Sequence, residues 1–105
     1  MILLHVISDN LDQVIEIADY LTKKKLILNP IIQEKVKGRK LSKNGKFETI
    51  DQFLLMGKTK SLLFTMIDKK LRKKYPKNMP VLYSLPIVYM DWKQADELIE
   101  ETLKI

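Results

Sequence analysis

Residues 41–63, "LSKNGKFETIDQFLLMGKTKSLL", decide how this chain folds. Asn44-Gly45 is a strong short-range hairpin signal, and a type I′ turn there requires φ > 0 at two successive residues. The outgoing arm alternates Ile50, Gln52 and Leu54 with Asp51, Phe53 and Leu55, and then "LLMG" runs apolar on both faces. A strand apolar on both faces belongs inside a sheet. The incoming arm, Leu26 to Leu41, makes the hairpin long for so small a chain, and its tip "KGRKLSKNGK" is expected to project past the core into solvent. After Lys58 and Thr59, Ser61 reads as the N-cap of a helix with a buried stripe of Leu63, Met66, Ile67 and Leu71. The cationic turn "RKKY" suits the negative end of that helix, and Pro76 stops it.

Outward from this centre, "ILLHVI" (2–7) has strand length and apolar content. Asn10 and Gln13 have capping-box spacing, and Leu11, Val14, Ile15, Ala18 and Leu21 recur at helical period. Beyond Pro76, a strand is expected over Val81 to Tyr89, punctuated by Pro86. Asp91 with Gln94 opens a third helix carrying Trp92, Ala95, Leu98 and Ile99 on one face. The order β-α-β-β-α-β plus a helix predicts an α+β, ferredoxin-like sandwich with an extra C-terminal helix and a long central β-hairpin, in one domain over 1–105. Helices then cover one sheet face. The other is left bare, so that Phe53, Leu55 and the tail aromatics need cover from another subunit.

Composition narrows the function classes. The chain has 105 residues, 46% hydrophobic and 30% charged, no cysteine and one histidine. No apolar run reaches the ~20 residues of a membrane span, and "MILLHVISDN" has no basic leader, so the expected setting is cytoplasmic. Thiolate chemistry and disulfides are excluded. The net charge is +6, concentrated in nine basic residues against Glu34 alone between positions 22 and 46. The tail reverses sign with Asp91, Asp96, Glu97, Glu100 and Glu101.

The motifs also carry a resemblance. "FLLMGKTKSLL", "KYPKNMPVLYSLPI" with Pro76, Pro80 and Pro86, and "YMDW" (Tyr89, Asp91, Trp92) resemble segments of the CutA family, the divalent-cation tolerance proteins. The resemblance runs nearly end to end and implies a homotrimer of PII-like architecture and a role in response to metal ions. The match is to the scaffold. Where the family carries His before the first proline and Tyr-Glu after it, this chain has Tyr75 and Lys77-Asn78. The glutamate after the second proline is Val81, and the cysteine of the second strand falls among Ile27 and Leu28.

Chemistry is sparse. Paired carboxylates, a nucleophile elbow and a glycine-rich phosphate loop are all missing, so no catalytic residue and no cofactor are expected, and the chain does not read as an enzyme. No metal ligands are assigned: transition metals favour imidazole and thiolate, and His5 reads as a core or interface residue. Lys58 and Thr59, ahead of the Ser61-led helix, form a candidate small-anion site, against the plainer role of Lys58 as a solvated strand end. Tyr75, Tyr83, Tyr89 and Trp92 complete the candidate inter-subunit cleft. The expected partners are copies of the chain and a small anion or ion. The competing reading is a basic ferredoxin-like module binding RNA or another polyanion, although the paired aromatics of RNA-binding sheets are absent from "FETIDQFLLMG".

Overall fold

A computed structural model describes residues 1–104. The elements in chain order are β1 (Ile2–Ser8), α1 (Leu11–Lys23), β2 (Leu28–Leu41), β3 (Phe47–Thr59), a 3₁₀ turn (Ser61–Leu63), α2 (Phe64–Lys74), β4 (Val81–Pro86) and α3 (Trp92–Glu101). The strands form one antiparallel sheet in the order β2-β3-β1-β4. The α+β class and the chain order of the elements are those expected from the sequence.

Strict alternation in β1 sets the two faces. Ile2, Leu4, Val6 and Ser8 are buried while Leu3, His5 and Ile7 are half-buried, because side chains of a strand point alternately to opposite sides. Antiparallel partners share a face, so Val6 opposite Leu55 and Leu4 opposite Gly57 place the odd residues of β3 among the helices. The core is Leu4, Val6 and Leu55 from the sheet, Val14, Ile17 and Leu21 from α1, and Leu63, Ile67 and Leu71 from the α2 region. Gly57 admits the side chain of Ile27: a Cβ there would stand 3.0 Å from Ile27 Cδ1.

This parity corrects the expected bare face. Leu55 is fully buried beneath the helices and Phe53 packs against the same core. The uncovered face carries Leu54 and Met56 instead, beside Leu3, His5 and Ile7. It continues across β4 through Val81, Tyr83 and Leu85 and onto β2 through Ile31.

Local structure departs from expectation at several points. Asn10 caps α1, its side chain accepting from Gln13 N at 3.2 Å, but the buried stripe runs through Ile17 while Ile15 is exposed. The C-terminus of α1 closes without glycine: Lys25 has φ 59°, Lys25 N donates to Thr22 O at 3.0 Å and Leu26 N to Leu21 O at 2.8 Å. This is the paired bonding of a Schellman cap, sealed by buried Leu21 and Leu26.

The hairpin turn is not type I′. Gly45 alone has positive φ (81°), Gly45 N donates to Ser42 O at 3.0 Å and Ser42 N to Lys46 O at 2.8 Å. That is a three-residue loop, a turn followed by a left-handed glycine, held further by Asn44 Oδ1 accepting from Lys46 N at 3.1 Å. Ser61 does not cap α2. It begins the 3₁₀ turn, and neither that turn nor α2 has a side-chain cap bond. Met66 is only half-buried.

β4 ends at Pro86, not Tyr89. Ile87 N still donates to Met1 O at 3.0 Å, after which the chain leaves the sheet. Asp91 caps α3, accepting from Gln94 N at 3.1 Å. Only Leu98 of its expected apolar face is fully buried. Lys60 Nζ donates to Thr102 O at 3.3 Å and to Leu103 O at 3.0 Å, and Leu103 N donates to Lys25 O at 2.8 Å. These bonds hold α3 beside the end of the sheet where β2 begins and β3 ends. The hairpin arms run past the helices, stretching the molecule to 50 × 29 × 20 Å.

Candidate functional site

The seven residues expected to form a cleft lie on different surfaces. Thr59 is fully buried on the helix side, where its hydroxyl donates to Leu26 O at 2.6 Å. It is a structural tie and has no hydrogen left for an anion. Lys58, one residue earlier, points the opposite way, onto the uncovered face. Ser61 is exposed on the 3₁₀ turn. The anion site expected from these three residues is therefore divided by strand parity.

Tyr75 belongs to the helix layer. Its ring is buried and its hydroxyl donates to the Glu16 carboxylate of α1, with Lys74 Nζ 3.6 Å from the same carboxylate. Burial, then the facing carboxylate, push the phenol well above its ordinary range, while the phenol's hydrogen bond holds Glu16 below the usual carboxylate range. A raised pKa means that the folded state favours neutral tyrosine. The stability this contributes is complete below about pH 10, where unfolded tyrosine ionises, and is lost as the pH climbs above it. Tyr75→Phe is expected to cost about 1 kcal/mol at neutral pH, the worth of one hydrogen bond. It should also flatten the fall in stability between about pH 8 and about pH 11. Urea midpoints of both chains at the two pH values check this, and an equally steep fall in the variant would refute it.

Tyr83 lies on the uncovered face. Its hydroxyl and His5 Nδ1 are 3.2 Å apart, and the two rings stand 5.2 Å apart at 55°. His5 Nε2 is buried without a hydrogen-bond partner among the described residues. Tyr89 and Trp92 project into solvent, 93% and 68% exposed.

Two small cavities meet at Lys58. One, about 200 Å³, is lined by Leu28, Asn29, Lys58, Met90, Gln94 and Glu97. The other, about 180 Å³, is bounded by Leu3, Asn29, Ile31, Met56 and Lys58. Lys58 was legible as a candidate, but its neighbours were not. Asn29 takes φ 48° at an irregularity in the β2–β3 register between Leu28 and Ile31. Asn29-Pro30 is a turn signal, and it was the one available hint of that irregularity. A larger cleft of about 430 Å³ lies between the C-terminal end of β1 and Asn78–Val81. Its buried polar groups serve one another: Ser8 Oγ donates to Gln13 Oε1 at 2.5 Å and Gln13 Nε2 to Asn78 O at 2.8 Å.

Among the described residues no group of three or more His, Cys, Asp or Glu is placed to hold a metal ion. With one histidine and no cysteine, the side chains do not fit a transition-metal centre.

No protein-family model matches the chain, and no curated protein matches its sequence. Solved structures do. CutA1 from Pyrococcus horikoshii superposes with a TM-score of 0.86 at 19% identity, over 99% of this chain and 100% of that one. The chain has the CutA fold. CutA1 from Oryza sativa gives 0.86 at 21% identity, over 99% and 94% of the two chains. The periplasmic divalent cation tolerance protein CutA from Archaeoglobus fulgidus gives 0.82 at 22% identity, over 96% and 98%. Of the segments that resemble CutA, Pro76 and Pro80 lie in the α2–β4 connection, while Pro86 and the closing "YMDW" fall where β4 ends early and the exposed aromatics begin.

Proposed function

We propose that the chain is a homotrimeric CutA-type module of the cell interior, acting in the response to divalent cations by assembly and small-ligand binding rather than by chelation or catalysis. The observation that carries this reading is the uncovered sheet face. Leu3, Ile7, Leu54 and Met56 line it, Ile31 and Val81 are 60% and 53% exposed at its margins, and His5 Nε2 sits in it without a partner among the described residues. A contiguous apolar surface of this kind marks an interaction site. A second copy is the occupant that the charge pattern favours. The β2–β3 arm is rich in Lys and Arg, and α3 presents Asp96, Glu97, Glu100 and Glu101. Such complementarity steers association between copies and fixes its register. The subunit number of three and the link to divalent cations come from the CutA resemblance.

Static light scattering behind size exclusion tests the assembly, with a particle of three chain masses expected. A folded particle of 12.4 kDa at dilute and concentrated loading alike would overturn it. So would retention of RNA at ~150 mM salt well beyond nonspecific affinity, which would favour the polyanion-binding reading of the basic hairpin.

A further inference from the structure

We propose that His5 is a proton-operated release for the assembly: the neutral ring is compatible with the contact between copies, and the protonated ring opens it. This deepens the proposed function, on whose covered sheet face it rests, and makes acidification the signal that regulates it.

His5 is the chain's one histidine and sits at mid-strand in β1, on the uncovered face. Leu3 and Ile7 flank it along the strand, Met56 stands opposite on β3, and Tyr83 stands opposite on β4. Its Nδ1 is 3.2 Å from the Tyr83 hydroxyl, while Nε2 is buried with no hydrogen-bond partner among the described residues. A hydroxyl donates to a bare ring nitrogen and accepts from a protonated one, so Tyr83 serves Nδ1 in either neutral tautomer. The neutral ring therefore leaves one polar atom unsatisfied and carries no charge.

A second proton changes that balance. Both nitrogens then donate: Nδ1 still reaches the Tyr83 oxygen, and Nε2–H has nothing to receive it. In a separated chain the face is open, and a small turn of the half-buried ring brings Nε2 to water. A second copy laid over the face removes that water and leaves the charge among Leu3, Ile7 and Met56. Burying an uncompensated cation costs far more than burying a neutral ring with one unmade bond.

The neighbouring charges do not offset it. Lys58, on the same face of β3 and opposite Leu3, adds positive charge, as does the Met1 amine four residues before His5. Tyr83 is the ionisable group on the β4 side. Glu97 of α3 shares with Lys58 a cavity that does not include His5. Glu48 lies on this face but eight residues from Met56 along β3, about 26 Å away at strand rise, and is paired with Lys40. Assembled chains thus hold fewer protons than separated ones. Assembly is complete above the ordinary histidine range and is lost as the pH falls through it.

Light scattering over a dilution series at about pH 7.5 and about pH 5.5 tests this, a window that spans ordinary histidine titration and stays above that of carboxylates. A histidine of ordinary character is about nine-tenths protonated at the lower value. With only the neutral form assembling, the midpoint concentration of assembly is expected to rise about tenfold between the two. His5→Phe and His5→Gln have no titrating ring, so both should assemble with nearly the same midpoint at each pH. Circular dichroism should find all three chains folded throughout.

A parent midpoint that does not move overturns the proposal, as do variants that respond to acid as steeply as the parent. Tighter assembly at the lower pH also overturns it, since a carboxylate of the second copy would then meet the ring. These results leave the assembly itself standing. Single chains at about pH 7.5 would instead sink the assembly reading, and the release with it.

Discussion

Leu55→Ala is expected to lower the stability of the protein by about 2–5 kcal/mol, the cost of removing a large buried aliphatic side chain from a packed core. Leu55 is fully buried, pairs with Val6 across the β1–β3 ladder and lies in the cluster shared with α1 and α2. Of the helices that cover it, α1 is fixed at both ends, by the Asn10 cap and by the Lys25 and Leu26 bonds at its C-terminus, so the site has little freedom to collapse around the missing atoms. For a domain of this size such a loss is a large part of the ~5–15 kcal/mol that holds the native state. Urea unfolding followed by circular dichroism measures it. A loss below about 1 kcal/mol would mean that Leu55 does not face the helices, and the facing assigned to β3 would have to be reversed.

Leu54→Asp, one residue away, is expected to do the opposite. The protomer should stay folded, because the side chain points off the uncovered face and a carboxylate there meets water. Strand propensity accounts for a penalty no larger than about 1 kcal/mol. Assembly should fail. A carboxylate pressed into a contact beside Ile7 and Met56 would be desolvated without a cation opposite it. The dissociation constant is expected to rise at least about a hundredfold, which corresponds to a few kcal/mol. Light scattering on the variant should find single chains at concentrations where the parent protein forms the proposed trimer. An intact Leu54→Asp trimer would show that this face is not the contact between copies.

The opposite outcomes expected at two adjacent leucines also mark what the sequence conveyed and what it did not. The order of elements, the caps at Asn10 and Asp91, the hairpin around Gly45 and the stop before Pro76 are all local events, each readable from a few neighbouring residues. The facing of Leu54, Leu55 and Met56 is not local. Three consecutive large apolar residues give no alternation, so either parity fits the string. The choice between them is made by Val6 and Leu4, roughly fifty residues away in sequence, through the pairing of β1 with β3. Ile15 and Ile17 show the same limit on α1, since both suit a helical stripe and only the packing of α1 on the sheet selects Ile17. The turn at Asn44-Gly45 was expected as type I′ because the dipeptide favours it. The observed loop needs only Gly45 left-handed, and the Ser42 and Lys46 bonds stabilise it in place of the second positive φ.

The candidate site divides in the same way. Lys58 was legible because it closes an apolar strand and belongs to the segment that resembles CutA. Its separation from Thr59 follows from parity, and its company with Asn29 and Glu97 follows from an irregularity in β2 and from the docking of α3. The amino-acid string by itself determined that this would be an α+β sandwich with a long hairpin and a resemblance to one family, because periodicity, caps and turns act over a few residues. The tertiary structure alone decided which leucine is core and which is surface, and which charges share a cavity. Those outcomes depend on contacts between residues distant in the chain, and no local pattern encodes them.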